Sequence, residues 1–254
     1  MKKVPNRLIH GCCIGFLAAN SRRYRMPLAA AATILTTMTL STANPEPKKL
    51  QVPAEVAAAP KGKVVLVPGF FDTQITMRPL RKAIVAGGYE CVFISLKPLD
   101  ARKGIEPMAR QLRDVIDREF RDDANFSIVG FSMGGLVARY YLQNLGGAKR
   151  CTGLYTIATP HNGTYLAYLY PGRGTKQMRP ESKFLMALQE DEAVFENIPV
   201  TSYRSPLDVV MLPTHSPKWE RAENIRFWSA IHPALMWEKQ LQKDLLQRLD
   251  ENGK

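Results

Sequence analysis

The sequence predicts an α/β domain: about six mostly parallel strands with helices on both faces. Short runs of β-branched and other apolar residues alternate with segments whose apolar residues recur at helical spacing, from Lys63 to the C-terminus. Several of the runs are apolar throughout, as strands covered on both sides must be. Glycine and proline stand at the junctions, where the chain has to turn.

The first strand is Lys63–Val67 (KVVLV), stopped by Pro68-Gly69. Thr76–Ala86 then sets Met77, Leu80, Ile84 and Val85 on one helical face, and Gly87-Gly88 ends the helix. Cys91–Leu96 is the second strand. Ile105, Met108, Leu112, Val115, Ile116 and Phe120 form the stripe of the next helix, with Arg110, Arg113, Asp114 and Asp117 off it. Phe126–Val129 is the third strand. A glycine-rich turn leads from it into a helix over Leu136–Leu145, closed by Gly146-Gly147. Leu154–Ala158, Val200–Tyr203 and Ile225–Trp228 are the remaining strands, and a last amphipathic helix carries Leu235, Leu241, Leu245 and Leu249. Residues 171–196 are charged and broken by proline and glycine, enough for a small lid but not for a large cap domain. Ligands of parallel sheets bind at the carboxyl ends of the strands, so chemistry is expected just after each one.

Residues 1–43 read as a leader. They carry six Lys/Arg and no acid, with Arg22, Arg23 and Arg25 ahead of the apolar, threonine-rich Pro27–Leu40 and small residues at Ser41-Thr42-Ala43. That order is the order of a signal peptide, and it predicts export to the periplasm or medium. A tail or a short membrane anchor is the alternative, and Met26 is a second candidate start. Residues 44–61, rich in Pro, Ala, Lys and Glu, read as a linker, which leaves 62–254 as the folded domain. Without the leader the formal charge falls from +12 to +6, and no basic block is interleaved with aromatics. That composition argues against nucleic acid as a partner while leaving contact with an anionic lipid surface open.

The third strand ends in Gly130-Phe131-Ser132-Met133-Gly134, a G-x-S-x-G turn between a strand and a helix. In such a turn the serine backbone is strained and its hydroxyl is lifted clear of the sheet. Residues two before and two after the serine come too close for side chains, hence Gly130 and Gly134. The helix N-terminus places partial positive charge where an oxyanion would form. Ser132 is therefore the candidate nucleophile.

Around this turn the chain resembles the α/β-hydrolases of the bacterial lipase and esterase kind, related to lipid-deacylating serine hydrolases. The likeness rests on VVLVPGF at 64–70, VGFSMGGLVARYYL at 129–142, IATPHNGT at 157–164, PLDVVMLPTHS at 206–216 and His232 ahead of the last helix. It runs in order through about residues 62–250 and implies the α/β-hydrolase fold. It also implies a triad in the chain order serine, acid, histidine.

Of the four histidines, His161, His215 and His232 lie downstream of Ser132. His232, after the last strand, is the candidate base. His215 reads as a bystander, and His161, in TPHNG, as a hydrogen-bonded turn residue. Asp208 follows the fifth strand and is the candidate acid. Glu190, Asp191 and Glu192 read as a solvated face. The oxyanion donors expected are the N–H of Met133, next after the nucleophile, and that of Phe70 in the loop after the first strand. Relatives commonly carry a histidine where this chain has Pro68. Asp72 either braces the loop in its place or is a turn residue. Phe71, Tyr165 and Leu166, with Tyr168, Leu169 and Tyr170 nearby, are candidates to line an acyl-binding cleft or to pack in the core.

The activity implied is hydrolysis of carboxylic esters, of lipid or acyl type, on a small-molecule ester or lipid substrate. The same triad also serves thioesterases, amidases and acyltransferases, and a hydrolase-like domain can bind a lipid or partner without turnover. The chemistry calls for no cofactor, and no metal-ligand spacing is present. In the strand order that this resemblance implies, Cys91 and Cys151 fall on strands separated by three spacings of about 4.8 Å, roughly 14 Å, too far for a disulfide. Two free, buried thiols are expected.

Overall fold

In the computed structural model, residues 59–120 and 124–253 are described. The leader at 1–43, with Cys12 and Cys13, and nearly all of the linker at 44–61 lie outside them. The strands are β1 (Lys63–Val67), β2 (Glu90–Phe93), β3 (Phe126–Phe131), β4 (Cys151–Ile157), β5 (Val200–Arg204) and β6 (Glu223–Arg226). They form one sheet in the order β2-β1-β3-β4-β5-β6, every neighbouring pair parallel.

The side-chain alternation of a strand explains how the sheet is covered on both faces. Val65 and Val67 of β1, with Ile128 of β3, pack on one side against α2 (Ile105–Glu119) and α3 (Met133–Asn144) through Leu112, Ile116, Leu136 and Val137. Val64, Leu66 and Val129 face the other side, against α1 (Gln74–Ala86) and α6 (Lys239–Asn252) through Leu80, Ile84, Leu241 and Leu245. All these side chains are fully buried.

Boundaries differ from the sequence reading because a strand stops where its pairing with a neighbour stops, not where the apolar run does. The second strand ends at Phe93, short of Leu96, and the sixth runs over Glu223–Arg226, ahead of Ile225–Trp228. The helix after Ser132 starts directly at Met133, because the glycines belong to its first turn. Leu235 falls in a 3₁₀ segment, His232–Trp237, set off from the last helix. Residues 171–196 hold two short helices, α4 (Arg173–Gln177) and α5 (Lys183–Glu190), anchored in the core by Leu185, Leu188 and Phe195.

The strand order leaves three strand spacings between Cys91 and Cys151, and both are free thiols, Cys151 buried as expected and Cys91 only partly so. Burial pushes each up to about 12, so neither is a thiolate near neutral pH. Among the described residues, no helix is long and apolar enough to cross a membrane.

Candidate active site

Ser132 joins the end of β3 to the start of α3, with φ 52° and ψ −125°. A non-glycine residue there is strained, and its surroundings hold it in place. Its N–H donates to Ile157 O at 2.8 Å and its carbonyl accepts from Gly135 N–H at 3.1 Å. The flanking glycines are required by contact. A methyl group on Gly134 would stand 2.2 Å from Val67 O, and one on Gly130 would stand 2.6 Å from Gly135 Cα.

Asp208 lies just past β5, fully buried. Its Oδ1 accepts the Val210 N–H at 2.9 Å, and its Oδ2 lies 2.6 Å from His232 Nδ1. The carboxylate thus orients the imidazole and fixes Nδ1 as the protonated nitrogen. The ring of His232 lies against Phe131, the residue before Ser132, with centroids 4.8 Å apart. His232 Nε2 is buried and has no hydrogen-bond partner in this structure. The bond from Ser132 Oγ to Nε2 is not made here; in hydrolases without substrate such bonds are often long and tighten on binding.

The loop after β1 approaches from the other side. A methyl group on Gly69 would lie 3.0 Å from Ser132 Cβ. Asp72 braces this loop: it is buried, its Oδ2 accepts Gly69 N–H at 3.4 Å and its Oδ1 accepts Thr73 N–H at 2.8 Å. Phe71, at φ 54°, donates its N–H to Leu99 O at 2.9 Å. The Gly69 and Phe71 amides are therefore occupied, while among the described residues those of Phe70 and Met133 have no acceptor.

The candidate pocket residues are distributed unevenly. Phe70, Phe71 and Tyr170 form an edge-to-face triplet with centroids 4.7, 5.3 and 5.4 Å apart. Leu166 is half-buried and Tyr165 mostly exposed. Tyr165 and His215 border the wide groove of about 1020 Å³ beside α5, whose lining includes none of Ser132, Asp208 and His232. Among the described residues, no group of three or more His, Cys, Asp or Glu side chains is placed to hold a metal ion.

His161 is buried, and among the described residues its bonds go to neither Ser132 nor Asp208. Its Nε2 lies 3.0 Å from Thr156 Oγ1, its Nδ1 lies 3.2 Å from Arg139 Nη1, and its ring stacks on Trp219. Burial, reinforced by the Arg139 charge, holds its pKa well below the ordinary 6.5. Arg139, which the sequence reading passed over, is fully buried. It pairs with Glu192 at 2.8 Å and donates to Leu188 O at 2.7 Å, and Trp219 Nε1 donates to the same Glu192 oxygen at 2.6 Å. Glu192 thus departs from the expected solvated face: its carboxylate caps a buried cation. The available signal was a lone arginine inside the apolar helix LVARYYL.

A model of the palmitoyl protein thioesterase family matches residues 63–217. The chain belongs to this family. The match takes in Ser132 and Asp208 and ends ahead of His232. A search of curated proteins returns no match. Among solved structures, the mature Bacillus licheniformis lipase BlEst2 is similar at 15% identity and TM-score 0.60, over 76% of this chain and 93% of that one. The metagenomic carboxyl esterase MGS0156 is similar at 15% identity and TM-score 0.55, over 76% of this chain and 70% of that one. Aspergillus fumigatus lipase B is similar at 19% identity and TM-score 0.55, over 70% of this chain and 44% of that one. These likenesses establish the α/β-hydrolase fold.

Proposed function

We propose that the protein is a serine hydrolase that cleaves carboxylic esters of acyl chains through Ser132, His232 and Asp208. The observation that carries this reading is the 2.6 Å Asp208–His232 pair, with Nε2 left unpartnered, beside a serine held at positive φ. Ser132 Oγ attacks the carbonyl carbon as His232 Nε2 takes its proton. The tetrahedral oxyanion accepts from the N–H groups of Phe70 and Met133, which costs no reorganisation because both donors are already fixed. The C–O bond then breaks, and His232 returns the proton to the departing alcohol. Water, deprotonated by the same nitrogen, releases the acid from the acyl-enzyme. Phe71, with Tyr165 and Leu166 further out, contributes apolar surface for the acyl chain.

A second reading is a thioester as the bond cleaved, supported by the family to which the chain belongs. The mechanism is unchanged except that a thiol departs. Release of p-nitrophenol from short- and long-chain acyl esters, beside release of thiol from the matching acyl thioesters, separates the two. Ser132→Ala serves as the control. Turnover of neither, at wild-type levels above the control, would sink both readings.

Contact with a lipid surface and export belong to the same proposal. Large apolar side chains stand exposed on loops at the carboxyl ends of four strands, among them Phe71, Leu169, Val209, Trp228 and Ile231. An acyl chain could pass from a lipid layer to Ser132 past such a rim. The charge order of residues 1–43 supports export. Fractionation of cells making the full chain tests it, and retention in the cytoplasm would contradict it.

A further inference from the structure

The proposed oxyanion donor sits in a loop whose backbone is unfavourable on its own, since Phe71 is at φ 54° and half of its surface faces solvent. Something outside the loop must hold it. Two contacts do. The Phe71 N–H is bonded to Leu99 O, and the ring of Tyr170 closes edge-on against both Phe70 and Phe71. Tyr170 is itself held: its hydroxyl donates to Asp100 Oδ2 at 3.3 Å, and its carbonyl accepts from Thr175 Oγ1 at 2.8 Å.

Asp100 is a firm anchor. It is buried and bonded to Arg102 through Nε at 2.8 Å and the backbone N–H at 3.2 Å. The turn that carries it is tied to the first residues of α4 by Gly174 N–H to Ala101 O at 3.0 Å and Arg173 N–H to Arg102 O at 3.2 Å. Three stretches of chain far apart in sequence, 68–72, 97–104 and 170–175, therefore meet as one clamp.

From this we infer that Tyr170, anchored by Asp100, is a positioning residue that fixes the direction of the Phe70 N–H. Among the described residues it makes no hydrogen bond or ring contact with Ser132 or His232. Its effect on the reaction is transmitted through the loop, and the catalytic part of the inference rests on the reading of Phe70 as an oxyanion donor.

The test compares wild type, Tyr170→Ala, Tyr170→Phe and Asp100→Asn in the full chain, using acyl-ester kinetics and the affinity of an alkylboronic acid that forms a tetrahedral adduct on the serine. A misdirected donor costs stabilisation in the transition state, so Tyr170→Ala is expected to lower kcat by about 10- to 100-fold, with KM within about threefold. Boronate affinity should fall in step. Tyr170→Phe, which keeps the ring and loses the anchor, and Asp100→Asn should lose less, in the same direction. A rise in KM alone would make Tyr170 a wall of the acyl site and overturn the inference, as would no change.

Amide hydrogen exchange gives a readout that needs no activity. Exchange at Phe71 should speed up at least tenfold in Tyr170→Ala, while β3 amides keep wild-type protection. Unchanged Phe71 exchange would overturn the clamp, and loss of protection in β3 as well would reduce Tyr170 to a general structural role. A wild type that turns over no acyl bond, yet shows faster Phe71 exchange on substitution, would refute the proposed function and leave the clamp standing.

Discussion

At the scale of single residues, the proposed site depends on one short hydrogen bond and one strained backbone. Asp208 is buried and keeps the His232 tautomer with Nε2 free to take a proton. Asp208→Asn would let the imidazole turn its proton toward the serine. Loss of about 10³- to 10⁴-fold in kcat is expected, with the urea midpoint nearly unchanged; a loss under tenfold would argue that another group orients the base. His161 gives a prediction about stability. It is buried neutral, its pKa depressed by desolvation and by Arg139, whereas in the unfolded chain it titrates near 6.5. The unfolded state therefore binds the extra proton first. The stability is complete above about pH 6.5 and falls as pH drops toward the depressed native value. Tm measured from pH 7.5 to 5 should decline less steeply in His161→Gln than in wild type, whatever the offset between the two. Parallel slopes would show that His161 is not the group responsible.

At the scale of elements, the turn between β3 and α3 works because glycine lets α3 lie directly on the end of β1. Gly134→Ala would push a methyl group into Val67 O, and a cost of about 1–3 kcal/mol or more is expected in urea unfolding. This part was legible in the sequence, since close approach to a backbone leaves glycine as the residue that fits. The parallel strands were legible for a related reason, their apolar runs being long enough to be covered twice. Strand ends were not, because β2 and β6 stop where pairing with a neighbour stops, a property of two segments at once. The Arg139–Glu192–Trp219–His161 cluster was illegible for the same cause: its members come from four segments, and Glu192 in isolation looks like any surface acid. Arg139→Met leaves the Glu192 carboxylate without its cation. A loss of about 2–4 kcal/mol is expected, somewhat below that of a fully buried pair because Glu192 is partly exposed. A loss under 0.5 kcal/mol would show that the cluster adds nothing to the fold.

At the scale of the whole molecule, the sheet gathers Ser132, Asp208 and His232 at one edge from β3, β5 and β6, and the same edge bears the exposed apolar rim. Trp228 and Val209 are 71% and 64% exposed, so replacing both with serine should leave the fold and the hydrolysis of a soluble short-chain ester unchanged. Co-sedimentation with vesicles containing anionic lipid should fall by about tenfold, given the apolar area removed. Equal sedimentation of the two proteins would remove the rim from the proposal. The claim on which everything else turns is that Ser132 is an activated nucleophile. It is tested most directly by treating the folded protein with a fluorophosphonate and locating the adduct by mass spectrometry. One adduct per chain is predicted, on the peptide containing Ser132, absent from Ser132→Ala and strongly slowed in His232→Ala. A folded wild-type protein that takes no label, or a Ser132→Ala variant labelled as fast as wild type, would contradict it.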